Sequence, residues 1–367
     1  MPVPFNDMTR KYLRYADEID SVAKRVLSSG RYTLGSENDS LEAELASYYN
    51  ATAVATVGSG TDALFLTLIA LGVGVGDEVI TVANTCTPTI AAIRLTGANP
   101  VFVDVDSERL TMNPEDIERC VTEKTKVILP VHLYGTPANM EKIIVVAKKH
   151  GLLVIEDCAQ SFGATIAGRH VGLWGDVGCV SFYPTKNLGG FGDGGAVFSD
   201  NQALVEKVRQ LRMYGEIHRY ESITEGTNSR MDELQAGFVR WGLLHIDEWN
   251  KTRSDIAQTY IKSIHNALVQ LPVDLDTESH RAWHLFVVRV SDRTAFTRHL
   301  EENCIGYAIH YPKLVYDQPA YEFLRVDSEH LPVSTSSVGT VVSLPLYPEL
   351  TEEEVYKVIE AVNSYGK

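Results

Sequence analysis

Between Ala53 and Phe198 the chain repeats one pattern: a short run of β-branched and apolar residues, then a helical or turn segment, then another run. The runs are AVATV, EVITV, PVFVDV, KVILPV, LLVIE, GCVSF and AVF, and the spacers include TDALFLTLIALG and NMEKIIVVAKKHG. A strand that is apolar along its whole length has no face to offer to water, so it must be covered on both sides. Seven such runs separated by helices predict an α/β fold built on one large, mainly parallel sheet. Ligands of such sheets gather at the carboxyl ends of the strands.

Beyond this core the pattern changes. MDELQAGFVRWGLLHIDEWNKTRSDIAQTYIKSIHNAL, from Met231, reads as a long helical stretch with an apolar stripe, joining two domains. WHLFVVRV and GYAIHYP read as strands with a helix between them, and TEEEVYKVIEAVNSYG as a closing helix. The expected division is a large α/β domain over 1–245, then a linking helix and a smaller α+β domain over 246–367. With 367 residues, 44% of them hydrophobic, the chain can bury a core in each.

The totals narrow the function. A net charge of −15 with no Lys/Arg stripe argues against nucleic acid. No apolar run reaches membrane-spanning length, and MPVPFNDMTRKYLRY has no secretion pattern. The five cysteines, Cys86, Cys120, Cys158, Cys179 and Cys304, are scattered and form no C-x-x-C pair, which fits a reducing cytoplasm without a disulfide framework. HRAWH sets His280 and His284 at i, i+4, but shows no third ligand, so no metal is expected.

Three strand ends carry candidate chemistry. GSGTDAL follows AVATV and opens a helix. Gly58, Gly60 and Ala63 fit a dinucleotide fingerprint, but that reading needs an acid at the end of the following strand, and Asp77 and Glu78 stand at its start. What remains is a helix N-terminus at Gly60, Thr61 and Asp62 suited to one phosphate, or an ordinary cap by Ser59 or Thr61. LLVIEDCAQSFGA sets Asp157 and Gln160 after a buried strand, as ligand groups or as a cap and ion-pair partner. SFYPTKNLGGFGDGGAV sets Ser181, Tyr183 and Lys186 at the next strand end, ahead of glycines that let the chain turn tightly. An amine, a buried acid and a phosphate cradle are what the aldehyde, ring nitrogen and phosphate of pyridoxal phosphate require.

With GRYTLGSENDSLEAELA, NSRMDELQA, IHYP and SLPLYPEL, these motifs run nearly end to end. In that order they resemble the DegT/DnrJ/EryC1/StrS family of pyridoxal-phosphate-dependent nucleotide-sugar aminotransferases. The resemblance implies a fold type I aminotransferase, with active sites shared in a homodimer. By it Lys186 and Asp157 are the catalytic residues, Lys186 holding the cofactor covalently and Asp157 pairing with its ring nitrogen. Gln160 contacts the cofactor's 3′-oxygen; Gly60, Thr61 and Ser181 hold the phosphate, with Asn228 reaching across from a second subunit. Cys86 stands where many members carry an aromatic ring stacked on the cofactor, and leaves a thinner, more polarizable contact.

Tyr183, His310 and, more weakly, Tyr32 are candidates for sugar or nucleotide contacts, with packing or loop hydrogen bonding as the plain alternative. SFYP-KNLG with GDGG resembles enzymes that aminate C3 of dTDP-3-keto-6-deoxyhexoses from L-glutamate. Those acting on C4 more often show SFH and GEGG. Against a family dehydratase, which has histidine in place of the lysine, stands Lys186. A non-catalytic regulator on the same fold, and a nicotinamide-dependent oxidoreductase resting on GSGTDA alone, are the other readings.

Overall fold

Each of the seven apolar runs is a strand in the computed structural model, which describes residues 2–273, 275 and 277–367. They are β1 (Ala53–Val57), β2 (Glu78–Val82), β3 (Asn99–Val103), β4 (Thr125–Ile128), β5 (Leu153–Asp157), β6 (Val177–Ser181) and β7 (Gly195–Ser199). One sheet takes them in the order β1-β7-β6-β5-β4-β2-β3. Strands β2 to β6 pair in parallel, whereas β7 runs antiparallel to both neighbours, β1 and β6. Because β1 and β6 both oppose β7, their carboxyl ends reach the same edge as that of β5. Every residue of β1 and β7 is buried, as a sheet covered on both faces requires.

The helices that matter for the site are α1 (Met8–Arg14), α2 (Ala16–Ser29), α3 (Ser36–Tyr49), α4 (Gly60–Ala70), α5 (Thr87–Leu95), α6 (Met140–His150), α7 (Gln202–Leu211), α8 (Glu233–Leu243) and α9 (Ile246–Ser263). No helix among the described residues is long and apolar enough to cross a membrane.

The helical stretch expected from Met231 is two helices. Its apolar stripe serves two cores: Ala236 and Val239 of α8 join the cluster around the large sheet, while Ile256, Ala257 and Tyr260 of α9 join a second cluster. The chain breaks at Leu244 and His245, and the change of core comes a little later, within α9, between Trp249 of the first cluster and Ile256 of the second. The proposed division between 245 and 246 falls at this break. The second cluster is closed by an antiparallel sheet of β8 (Val269–Gln270), β9 (Phe286–Val290) and β10 (Val341–Leu344), with α10 (Arg293–Glu302) and α11 (Glu352–Ser364). Thr351 and Glu354 start α11 with a reciprocal capping box. Val3, from the far end of the chain, also packs here and pairs with Ile305.

GYAIHYP does not form the expected strand. Ala308 makes one bridge to Ser343, at 3.2 and 2.8 Å, and the chain then leaves the sheet. Its polar side chains are drawn to the cleft instead: His310 Nδ1 bonds the Ser343 hydroxyl at 2.8 Å, and the Tyr311 hydroxyl accepts from Gln160 Nε2 at 2.9 Å.

Candidate active site

The loop ends of β1, β5 and β6 meet at one edge of the sheet. At β1, the Ser59 hydroxyl caps α4 by accepting from the Asp62 N–H at 3.1 Å. That is the plain reading, and it leaves room for the other. In the first turn the N–H groups of Gly60 and Thr61 have no acceptor within the helix, and the helix dipole puts positive potential there. Gly60 must be glycine: a Cβ at this position would stand 2.6 Å from Ser181 Cβ. Gly195, opening β7, likewise has no room for a Cβ, which would meet the Ser59 carbonyl at 2.5 Å. Two glycines thus let the helix end settle against the end of β6, so that Gly60, Thr61 and Ser181 form one corner fit for a phosphate.

Asp157 closes β5 and is buried. Its Oδ2 accepts from the Thr89 hydroxyl at 2.9 Å and its Oδ1 from the Ala159 N–H at 3.1 Å. Burial pushes its pKa up, opposed by those two hydrogen bonds and by the charges of Lys186 and His132. A buried carboxylate with no ion-pair partner among the described residues is the natural neighbour of a protonated ring nitrogen.

Lys186 is half-buried, its N–H donating to the Tyr183 carbonyl at 2.9 Å in a tight turn. Burial pushes the Lys186 ammonium down from its usual pKa, while Asp157 and Cys86 pull the other way. The next residue, Asn187, is clamped on three sides. Its Nδ2 donates to the Ala282 carbonyl at 2.6 Å and to Asn250 Oδ1 at 2.7 Å, and its Oδ1 lies 3.0 Å from His284 Nδ1. The lysine turn is therefore anchored to α9 and to the approach to β9.

Gln160 is held by two groups that the sequence did not single out. Its Oε1 accepts from the Tyr134 N–H at 2.7 Å, and its Nε2 reaches the Tyr311 hydroxyl. Burial, then the adjacent Cys86 thiol, pushes the Tyr311 phenol up. Cys86 itself is half-buried just before α5 and lines the same cleft as Lys186. His310 is half-buried, and burial together with Lys186 pushes its pKa down to about 4. It offers the cleft an uncharged imidazole at neutral pH. The anchors Asn187 and Tyr311 lay within quoted motifs and Thr89 lay three residues beyond Cys86, which was the only signal for them.

Two expected contacts lie apart within this chain. Tyr32 is 54% exposed and its hydroxyl donates to the Leu27 carbonyl at 3.2 Å. The motif around it is tied down by Glu233, whose carboxylate accepts N–H groups from Gly35, Glu37 and Asn38 at 2.8 to 2.9 Å and so caps α3. Asn228 is exposed and accepts from Arg230 Nε at 2.9 Å. Its neighbour Ser229 is buried, donating to Asp62 at 2.9 Å and accepting from the Gly58 N–H at 3.0 Å, so Asn228 stands at the rim of the phosphate corner. Tyr183, 51% exposed, stands on the outer side of the lysine turn.

HRAWH is not helical, so His280 and His284 do not share a face: His280 is exposed and His284 buried. The one group of potential metal ligands among the described residues is His132, Glu156 and Cys158. Its donors are already committed. Nδ1 of His132 accepts from the Ala138 N–H at 3.0 Å, which leaves the proton on Nε2 to bond Glu156 at 2.9 Å. Glu156 takes two more bonds, from the Gly172 and Gly175 N–H groups, each at 2.7 Å. This is a closed hydrogen-bond network.

Comparison with known proteins identifies the family. The DegT/DnrJ/EryC1/StrS aminotransferase family matches residues 14–363. A dTDP-3-amino-3,6-dideoxy-alpha-D-galactopyranose transaminase of Aneurinibacillus thermoaerophilus is 44% identical, covering 99% of each chain. The erythromycin biosynthesis sensory transduction protein EryC1 of Saccharopolyspora erythraea is 43% identical over 99% of this chain and 100% of its own. Among solved structures, DesV of S. venezuelae in complex with a ketimine intermediate superposes with a TM-score of 0.96 at 42% identity, covering 99% of this chain and 98% of that one.

Proposed function

The chain belongs to the DegT/DnrJ/EryC1/StrS aminotransferase family, and we propose that it moves an amino group from L-glutamate to C3 of a dTDP-3-keto-6-deoxyhexose. The cofactor is pyridoxal 5′-phosphate. The observation that carries this reading is the meeting of Lys186, Asp157 and the Gly60–Ser181 corner at one sheet edge. The C3 assignment draws on SFYP and GDGG and on what the Aneurinibacillus relative makes.

When bound, the cofactor supplies a carbonyl for the travelling nitrogen and a ring that spreads the charge left at a deprotonated carbon. The chain does the rest. Gly60, Thr61 and Ser181 hold the phosphate. Asp157 would face the ring nitrogen and keep its proton in place, and Gln160, fixed by Tyr134 and Tyr311, would meet the 3′-oxygen. Lys186 would hold the cofactor at rest. Once released, its amine takes a proton from the α-carbon of the donor and returns it from the same nitrogen, a task eased by the burial that loosens its own proton. The sugar then arrives in a second half-reaction, with Tyr183 and the uncharged His310 as its hydrogen-bond partners, and Tyr32 as a more distant one. Asn228 completes the phosphate corner of a second subunit, so the working unit is a homodimer in the cytoplasm.

The name of the Saccharopolyspora relative favours a second reading, a sensory protein that binds the cofactor without turnover. One assay separates these. Purified protein is given L-glutamate and a panel of 3-keto and 4-keto dTDP- and UDP-sugars. The expected result is bleaching of the yellow cofactor band by glutamate and a product with nitrogen on C3 by NMR. Amination at C4 alone would overturn the regiochemistry, and absence of any glutamate-dependent product would favour the sensor.

A further inference from the structure

Behind the lysine turn lies a small pocket whose lining includes Lys11 of α1, Lys186, Arg253 of α9, Tyr347 and Glu349. Lys11 is only 7% exposed. Its ammonium stands 4.3 Å from the centre of the Trp249 ring and makes no ion pair among the described residues. Arg253 is 5% exposed and spends Nη1 on the carbonyls of Trp283, His284 and Leu346, at 3.4, 3.3 and 2.8 Å. Its Nε–H has no partner, and neither does the hydroxyl of Tyr347, which is 1% exposed.

Charge does not balance here. Lys11 and Arg253 bring two buried cations and Lys186 a third, half-buried amine, and Glu349 is the one carboxylate lining the pocket. Burial pushes Lys11 down to about 8 and Arg253 down to about 10, with Glu349 opposing both shifts. Unsatisfied donors in a native interior call for a partner, and an uncompensated buried charge calls for a counter-charge. The free space admits a water-sized group, which excludes a phosphate or a second substrate.

We propose that this pocket binds one small monovalent anion of chloride size, held by the Arg253 Nε–H, the Tyr347 hydroxyl and the Lys11 ammonium. The site is distinct from the phosphate corner, which lies across the lysine turn at the ends of β1 and β6. The anion accepts from both orphaned donors, as a water could, and also removes the excess positive charge, which a neutral water does not.

Crystals of the holoenzyme soaked in sodium bromide should show an anomalous peak between Lys11, Arg253 and Tyr347. In solution, melting of the holoenzyme in sodium chloride is compared with sodium gluconate at matched ionic strength. Wild type should gain about 1–3 °C in chloride, saturating with concentration. Lys11→Met, which keeps the stem over Trp249 but loses the charge, should lose that gain, and Tyr347→Phe should show part of it. Density in the pocket without a bromide signal would identify a water and overturn the proposal. Equal responses of wild type and Lys11→Met to both salts would overturn it too. If Lys11→Met does not fold, the bromide peak in wild type decides.

Discussion

Glu156 and Asp157 are neighbours on β5, and the pleat sends their side chains to opposite faces of the sheet. Both carboxylates are buried, yet they live differently. Glu156 is saturated, with a histidine N–H and two backbone N–H groups aimed at it. Asp157 has only a threonine hydroxyl and one backbone N–H, and it faces the cleft of Lys186. Burial alone therefore does not mark a functional acid. The difference lies in what remains unanswered: Glu156 fastens the loop at Gly172 and Gly175 to the strand, whereas Asp157 keeps capacity for a cationic partner that the chain does not supply.

The sharpest test of the open side is its own amine. Lys186→Ala should abolish the yellow cofactor band and lower turnover by about 10⁴-fold or more, with the far-UV CD spectrum unchanged. Borohydride treatment of wild type should fix the cofactor on Lys186; a label on any other lysine would break the assignment.

The two carboxylates can then be set against each other. Asp157→Asn should cut kcat/KM by about 10²–10³-fold without lowering Tm. Its folded-state pKa is raised by burial, so ionised Asp157 costs stability as pH rises above the ordinary aspartate value. The Tm advantage of the cofactor-free Asn variant should accordingly be absent in strong acid and grow towards neutrality. Glu156→Gln should do the reverse, destabilising by about 1.5–3 kcal/mol because its histidine and amide donors lose their anion. Equal losses of Tm in the two variants, measured by thermal melts, would erase the distinction.

A smaller effect tests whether the open side extends into a neighbouring subunit. Asn228→Ala should weaken activity about tenfold by loss of one charge-assisted phosphate hydrogen bond. Mixed and refolded with Lys186→Ala, it should give hybrids with one intact site, recovering about a quarter of wild-type activity. No recovery, or a fully active monomer by light scattering, would confine the site to one chain. The smallest change is expected at the rim. Tyr183→Phe should lower kcat/KM for the sugar about two- to tenfold, with the glutamate half-reaction unaltered by stopped-flow absorbance.

The strands were legible because a fully buried β-strand needs an unbroken apolar run, and seven such runs leave little freedom in class. Lys186 and Asp157 were legible because strand ends in such a sheet converge. GYAIHYP misled because alternation reports a segment's tendency to extend, not whether a neighbour offers it an edge; the pull of Gln160 and Ser343 on Tyr311 and His310 is invisible in sequence. The break at Leu244 was hidden because the apolar stripe continues across it: Ala236 and Val239 before it and Ile246 and Trp249 after it serve the same core. The bond from His132 to Glu156 joins positions with nothing in their local sequence to connect them. Tyr32 sits in a motif whose structural work falls to Gly35, Asn38 and Glu233.

The antiparallel strand β7 sets a schedule for making this protein. In the sheet β1 touches no strand but β7, so Ala53 waits for Ser199 to leave the ribosome before it has a partner. Until then the phosphate corner has one wall, since Ser181 can approach Gly60 only past Gly195. A stalled chain ending before Gly195 exposes the whole edge of β1 to whatever strand it meets first.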